Sequence, residues 1–428
     1  MNSPVISTKS PEPVIIQPVS RYTAYYLTNN AMETMRHIKS ILLLSGLLLS
    51  GSALADCQNT ANFNQWLNGF KQQASAAGIP ANVVNGALNN IRFDPSVVQR
   101  DRSQAVFAQT FLEFSGKKVN NYRLVNGQKK IQENRALFQR IEKQFGVPAP
   151  VLTAYWALET DFGAVTGNFP TLQALATLAY DCRRSDLFRN ELMHALQIIQ
   201  KGDMPAAEMK GAWAGELGQL QFLPSGYNKH AVDYDGDGRR DLIRSKQDAL
   251  ASAASLLRQY GWQRNQAWLL EVKVPQNMDW SLARLDNKLP LAQWTQQGVT
   301  EISGRPLRPA GTAALLLPMG RNGPAFLAFP NFDVMLRWNE STVYSITAAY
   351  LATRFAGAGR VRNGNAPVQS LSMDQVKVLQ SKLKARGFAV TKIDGIIGEE
   401  TSGAVRKLQQ QLGLPADGYP DPALLQRL

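Results

Sequence analysis

The segment Pro148-Ala149-Pro150-Val151-Leu152-Thr153-Ala154-Tyr155-Trp156-Ala157-Leu158-Glu159-Thr160-Asp161-Phe162-Gly163 constrains the fold more than any other stretch. A helix can start near Pro150, where a missing N–H does no harm, and Gly163 can end it. At about 100° per residue, Leu152, Tyr155, Trp156, Glu159 and Phe162 fall on one side. Glu159 is then the only charge on an apolar face. Burying a carboxylate without partners is costly and favours the protonated acid. A neutral carboxylic acid is also what protonates a leaving-group oxygen. A core arginine paired with Glu159 is the other arrangement that this pattern allows.

The chain has 428 residues, with 46 Lys+Arg against 33 Asp+Glu and a formal charge of +13. That length suggests two or three domains. Two cysteines exclude a disulfide scaffold and Cys-rich zinc folds. The only histidines are His37, His194 and His230, which makes histidine chemistry a poor fit. Arg36 and Lys39, the apolar run Ile41 to Leu49, and Ala53-Leu54-Ala55 together form a secretory signal with cleavage after Ala55. The run is too short for a membrane span, and Met35 is the more usual start. Asp56 before Cys57 disfavours lipidation, so a periplasmic protein is expected. Its basic charge suits a polyanion, such as anionic wall polymer or lipid headgroups. Nucleic acid is disfavoured, because no basic run carries interleaved aromatics. Cys57 and Cys182 either pair in an oxidising compartment or remain separate thiols.

Phe63, Trp66, Leu67 and Phe70 recur at helical spacing, as do Ile131, Leu137, Phe138 and Ile141. Leu269 to Val274 and Ala314 to Leu317 are strand-like, in a region punctuated by Pro and Gly. Val376, Leu379 and Leu383 mark one helix of a C-terminal unit; Val405, Leu408 and Leu412 mark another. The expected division is leader and signal 1–55, N-terminal helical region 56–145, core 146–262, small β-containing subdomain 263–331, a helix completing the core 332–356, flexible linker 357–372, and C-terminal module 373–428.

The segment around Glu159 resembles the catalytic helix of the MltB-type lytic transglycosylases, lysozyme-like enzymes of peptidoglycan. Residues 182–192 (CRRSDLFRNEL), 210–227 (KGAWAGELGQLQFLPSGY) and 232–242 (VDYDGDGRRDL) follow in the family's order, as does Arg337-Trp338-Asn339-Glu340-Ser341-Thr342-Val343-Tyr344. Residues 394–401 (DGIIGEET) resemble the turn of a three-helix peptidoglycan-binding domain. The resemblance implies a predominantly α fold. It would have a lysozyme-like core, an extra N-terminal helical region, the small β-containing subdomain and the wall-binding module.

The resemblance further implies that Glu159 is a single acid/base acting between N-acetylmuramic acid and N-acetylglucosamine. The muramic C6 hydroxyl would then attack C1 and close a 1,6-anhydro ring, with no catalytic cofactor. Peptidoglycan glycan strands are the implied partner. Asp161 lies about 200° round the helix from Glu159 and faces away. Glu216, in a Gly-rich loop, keeps a hydrolytic muramidase open if it faces Glu159 across a water; a solvated loop glutamate is the plainer expectation. A non-catalytic wall-binding protein is the reading from another class.

For substrate contacts the resemblance points to Gln221, with Gln219 beside it, to Arg183 and Arg184, and to Asn339 and Tyr344. Tyr227 is a further candidate. Arg183 and Arg184 are as well suited to salt bridges. Trp338 stands where many relatives have tyrosine; it can stack on a sugar, but a hydroxyl donor is lost. Ala212 and Leu256 replace residues that are often serine and tyrosine, leaving fewer donors for Glu159.

Asp233, Asp235 and Asp237 occupy positions 1, 3 and 5 of an EF-hand-like loop, with the Arg239 carbonyl following. The twelfth position is Arg244, so the resemblance places Asp248 as the closing ligand of a structural calcium site. Zinc is disfavoured, since only His230 is nearby. A metal-free acidic turn is the alternative.

Overall fold

The computed structural model describes residues 62–103, 109–308 and 310–428. The leader and signal expected over 1–55, and Cys57, lie outside the described residues; Cys182 is exposed. Among the described residues, the N-terminal region holds the α-helices α1 Phe63–Ala76, α2 Ala81–Leu88, α3 Pro95–Arg102, α4 Phe111–Lys118, α5 Asn121–Glu133 and α6 Arg135–Phe145. Asn62 with Gln65 and Thr110 with Glu113 form capping boxes that start α1 and α4. Trp66, Leu67 and Phe70 bury one face of α1, and Leu137, Phe138 and Ile141 bury one face of α6. The expected spacing therefore becomes packing.

Helix α7, Ala149–Thr160, carries Glu159. Every residue from Val151 to Thr160 is buried, so this helix is enclosed all round rather than one-sided. It ends before Gly163. Asp161 and Phe162 take the left-handed conformation, at φ 49° and 65°, and the Thr160 hydroxyl accepts the Gly163 N–H at 2.9 Å. Next come β1 (Phe169–Pro170), α8 (Thr171–Tyr180), a 3-10 turn Cys182–Arg184, α9 (Ser185–Gln200), β2 (Lys210–Gly211), α10 (Pro224–His230) and α11 (Lys246–Gln259). The antiparallel β1–β2 ribbon ties the segment after α7 to the loop before α10.

The following region contains β3 (Leu269–Lys273), β4 (Leu289–Pro290), α12 (Leu291–Gln296), β5 (Thr300–Glu301), β6 (Thr312–Leu316) and β7 (Ala325–Ala328). These strands form an antiparallel sheet of order β4-β6-β7-β3-β5 over its own core, which includes Val272, Trp294, Leu315 and Leu327. The two strand-like runs of the sequence are β3 and β6.

The helix expected over 332–356 is two helices, α13 (Pro330–Trp338) and α14 (Thr342–Phe355). Asn339 adopts extended backbone, and the Ser341 side chain caps α14. Helix α14 packs along α7 and also against α4 and α5. The fold is thus predominantly α with small sheets, as expected from the sequence.

The C-terminal unit is α15 (Met373–Ala385), α16 (Glu399–Gln411) and α17 (Pro422–Gln426) around Val376, Leu379, Leu383, Val405, Leu408 and Leu424. Leu412 is exposed rather than buried, because it is the C-cap where α16 stops. The segment expected to be loose is held. Val361 N–H donates to the Tyr350 hydroxyl, Arg362 N–H to Glu271, and Asn365 N–H to the Asn322 carbonyl. Composition reports its lack of periodicity but not the carbonyl and carboxylate acceptors contributed by other elements. Among the described residues, no helix is long and apolar enough to cross a membrane.

Candidate active site

Glu159 is 5% exposed, on the last turn of α7. Its Oε1 accepts the Trp338 indole N–H at 2.8 Å and the Tyr344 hydroxyl at 2.8 Å. The α13–α14 break produces this convergence by delivering one donor from each side. Trp338 corrects the sugar-stacking expectation. It is fully buried, stacked on Tyr155 with centroids 4.3 Å apart and edge-on to Phe222, so neither face is open to a sugar. The hydrogen-bond donor thought lost with tyrosine is supplied by the indole nitrogen. Ala212 and Leu256 therefore do not leave the acid without donors.

Beside Glu159, the Gly215–Gln221 loop is fixed to α7. Gln219 Oε1 accepts the Trp156 indole N–H at 2.9 Å, its Nε2 donates to the Ile243 carbonyl, and its own carbonyl accepts the Thr160 hydroxyl at 2.7 Å. Gln219 thus clamps loop to helix, with both ends of its amide occupied. Gln221 takes a left-handed backbone, and its Nε2 donates to the carbonyls of Thr166 and Gly218. Glu216 is buried rather than a solvated loop residue. Asn339 is buried in the α13–α14 break, where its Oδ1 accepts the Ser341 N–H.

Tyr227 corrects another expectation. Its ring is fully buried and its hydroxyl donates to the Arg240 carbonyl, so it braces the acidic loop instead of reaching substrate. Burial, then Asp203 and Asp241, push its phenol up from its ordinary range. Arg183 and Arg184 both bond the buried carboxylate of Asp101, the salt-bridge role allowed by the sequence. The Arg183 side chain remains 46% exposed.

Asp161 is turned from Glu159 onto Arg123, with Nε to Oδ1 at 2.6 Å. Arg123 Nη1 also donates to the Lys118 carbonyl at 3.0 Å. Burial lowers the Lys118 ammonium to about 8, with Arg123 adding to the effect and Asp161 and Glu159 opposing it. Neither Arg123 nor Lys118 was a sequence candidate.

The sequence profile described as "Transglycosylase SLT domain" matches residues 62–353, and that described as "Putative peptidoglycan binding domain" matches residues 372–428. The chain belongs to the transglycosylase SLT family. Among curated members, "Membrane-bound lytic murein transglycosylase B" of Escherichia coli K12 is 32% identical over 221 residues, covering 50% of this chain. The match spans 58% of that relative's length. Among solved structures, SltB3 of Pseudomonas aeruginosa in complex with NAG-anhNAM-pentapeptide is 41% identical with TM-score 0.80, covering 85% of this chain and 98% of that one. Escherichia coli Slt35 in complex with calcium is 26% identical with TM-score 0.59, covering 70% and 94%.

In this family member the acidic loop gathers three carboxylates. Oxygens of Asp233, Asp235 and Asp248 lie within 4.8 Å of one another. Asp248 is fully buried and accepts the N–H groups of Tyr234 at 2.7 Å and Asp241 at 2.8 Å. Burial is the chief cause raising its carboxyl. Asp237 is not among the three. Its Oδ1 accepts the Arg239 N–H, and its other oxygen faces the Arg239 guanidinium. The turn at Gly236 and Gly238 instead folds their N–H groups onto Asp233.

Proposed function

We propose that this protein is a lytic transglycosylase cleaving the MurNAc-GlcNAc β-1,4 bond of peptidoglycan, with Glu159 as the one acid/base. The observation that carries the reading is the buried Glu159 whose Oε1 receives two neutral donors, Trp338 Nε1 and Tyr344 Oη, each at 2.8 Å. With Oε1 occupied as acceptor, the transferable proton belongs on Oε2. Oε2 gives that proton to the glycosidic oxygen as the bond to C1 breaks. The resulting carboxylate takes the proton of the muramic C6 hydroxyl, whose oxygen bonds C1 and closes the 1,6-anhydro ring. Catalysis by one carboxylate agrees with Asp161 being engaged by Arg123. The names of SltB3's ligand and of the Escherichia coli relative support the substrate class.

Gln221, Asn339 and the exposed part of Arg183 are the groups assigned to the substrate. The N-acetyl group suits the Gln221 amide, and the anionic peptide stem suits the guanidinium. Residues 373–428 hold the wall as a three-helix module, 357–372 connect it, and the protein works in the periplasm. The hard, oxygen-only set Asp233, Asp235 and Asp248 fits a structural calcium ion. Calcium would neutralise three convergent carboxylates and brace the loop that follows α10; the chemistry above does not need it.

Mass analysis of digested peptidoglycan tests the reaction. Anhydro ends are expected; reducing ends would mean a muramidase, and no cleavage a wall-binding protein. Glu159→Gln is expected to abolish muropeptide release while binding to sacculi survives.

A further inference from the structure

The chain leaves α7 by a turn that L-residues rarely adopt. Asp161, Phe162 and Gly163 are left-handed in succession, at φ 49°, 65° and 86°. An aspartate tolerates that region better than most side chains, but a bulky aromatic beside it does not. Such backbone persists only where its surroundings over-determine it. Phe162 N–H donates to the Trp156 carbonyl at 3.0 Å, and its ring stands edge-on to the Trp156 indole. The Thr160 hydroxyl and carbonyl accept the N–H groups of Gly163 and Val165, each at 2.9 Å.

Asp161 is the member of the turn gripped from another helix. Arg123 Nε donates to its Oδ1 at 2.6 Å, while Arg123 Nη1 donates to the Lys118 carbonyl at 3.0 Å. Arg123 is 2% exposed and sits in the first turn of α5, where the Asn120 side chain accepts its N–H at 3.0 Å. Helix α5 packs along α7, so the guanidinium ties the turn to a neighbouring helix. On one side of Asp161, two residues away, is Glu159. On the other, five residues away, the Thr166 carbonyl accepts Gln221 Nε2 at 3.1 Å. Between them, a Cβ added to Gly163 would lie 2.7 Å from Gln219 Oε1, so the turn leans on the amide that clamps the loop. A shift of this turn moves both Glu159 and Gln221.

We propose that Arg123 is a positioning residue: its ion pair with Asp161 locks the left-handed turn after α7 and so sets the spacing of Glu159 and Gln221. The inference rests on the roles given above to those two residues. Arg123 touches no substrate and moves no proton. It supplies preorganisation, and a small misplacement of reacting groups by a change outside the chemistry is enough to lower a rate severely.

The test uses the full chain and short soluble glycans, with rates referred to the folded fraction measured by circular dichroism. Arg123→Met is expected to lower kcat about tenfold and raise KM about threefold, because Glu159 and Gln221 shift together. Adding Asp161→Gly should bring both constants back to within about threefold of wild type, since glycine takes the left-handed region without a strap and leaves no unpaired carboxylate. A loss of active molecules alone would lower kcat and leave KM where it was. That result, wild-type constants in Arg123→Met, or no recovery in the double variant would overturn the proposal. If Arg123→Met does not fold, Asp161→Ala and Asp161→Gly carry the test. Both remove the same carboxylate, but only glycine accepts the turn, so the glycine variant should turn over about tenfold faster; equal rates would overturn the proposal. Glu159→Gln and Gln221→Ala are run alongside. Full activity in the first removes the acid/base reading, and an unchanged KM in the second removes the Gln221 assignment. With both controls defective, a failed rescue removes only the role of Arg123.

Discussion

The indole N–H of Trp338 lies 2.8 Å from Oε1 of Glu159, although 179 residues separate them in sequence. Tyrosine at this position would offer the same oxygen a hydroxyl. The indole preserves the donor and fills the space against Tyr155 and Phe222 as well.

Trp338→Phe should therefore keep the aromatic packing and lose the donor. A hydrogen bond to a charged group is worth about 1.5–3 kcal/mol, which corresponds to roughly a 10- to 100-fold fall in kcat. KM should change little, because the buried ring offers no face to substrate. Steady-state release of muropeptides checks both numbers; a KM defect with normal kcat would restore Trp338 to the substrate cleft.

Glu191, on α9, caps the start of α10. Its Oε2 accepts the Ser225 N–H at 2.8 Å and its Oε1 accepts the Ser225 hydroxyl at 2.7 Å. Burial nevertheless raises its carboxyl from 4.5 to about 7, against those two bonds. The folded protein then binds this proton more tightly than the unfolded chain does. Its contribution to stability is fully present below about pH 4.5 and is lost as pH rises to about 7, on the order of 3 kcal/mol in all. Glu191→Gln, which cannot ionise, should gain on wild type across that window. Urea unfolding at several pH values measures the difference, and parallel curves for the two proteins would refute the assignment.

Asp248 is the buried member of the three-carboxylate cluster. Calcium at 100 times its Kd should stabilise the protein by about 2.7 kcal/mol, seen as a rise in Tm. Asp248→Asn should abolish that rise, whereas Asp237→Asn should leave it nearly intact, since Asp237 stands outside the cluster. An equal loss in both variants would return the ligand set to the one drawn from the loop spacing.

Local signals were legible where local physics decides. The spacing of Trp66, Leu67 and Phe70 became a buried face, and the strand-like runs became β3 and β6. What escaped depends on partners distant in sequence. Asp161 caps α7 before Gly163 with Arg123 paired to it from 38 residues upstream. Gln219 looked like a sugar ligand because glycines flank it; Trp156 and Ile243 occupy its amide instead. The isolated charge of Glu159 was visible, but its donors were not, because Trp338 and Tyr344 reach it only after α13 and α14 break at Asn339. No periodicity in α4 and α5 singles out Lys118 or Arg123.

The docking of the C-terminal unit yields the last prediction. Asp417 is buried, and its Oδ2 accepts the Arg321 N–H at 3.1 Å while Gln409 Nε2 donates to Oδ1 at 2.8 Å. Arg406 Nη2 reaches across to the Ala283 carbonyl at 3.0 Å. Asp417→Ala would strip the acceptor from Arg321 and Gln409 together, at a cost of about 1–3 kcal/mol for groups left unsatisfied. The chain over 357–372 should then be cut faster by protease, while release from short soluble glycans stays near the wild-type rate. Proteolysis at the wild-type rate would mean that the bonds from Val361, Arg362 and Asn365 hold that segment without help from the docked helices.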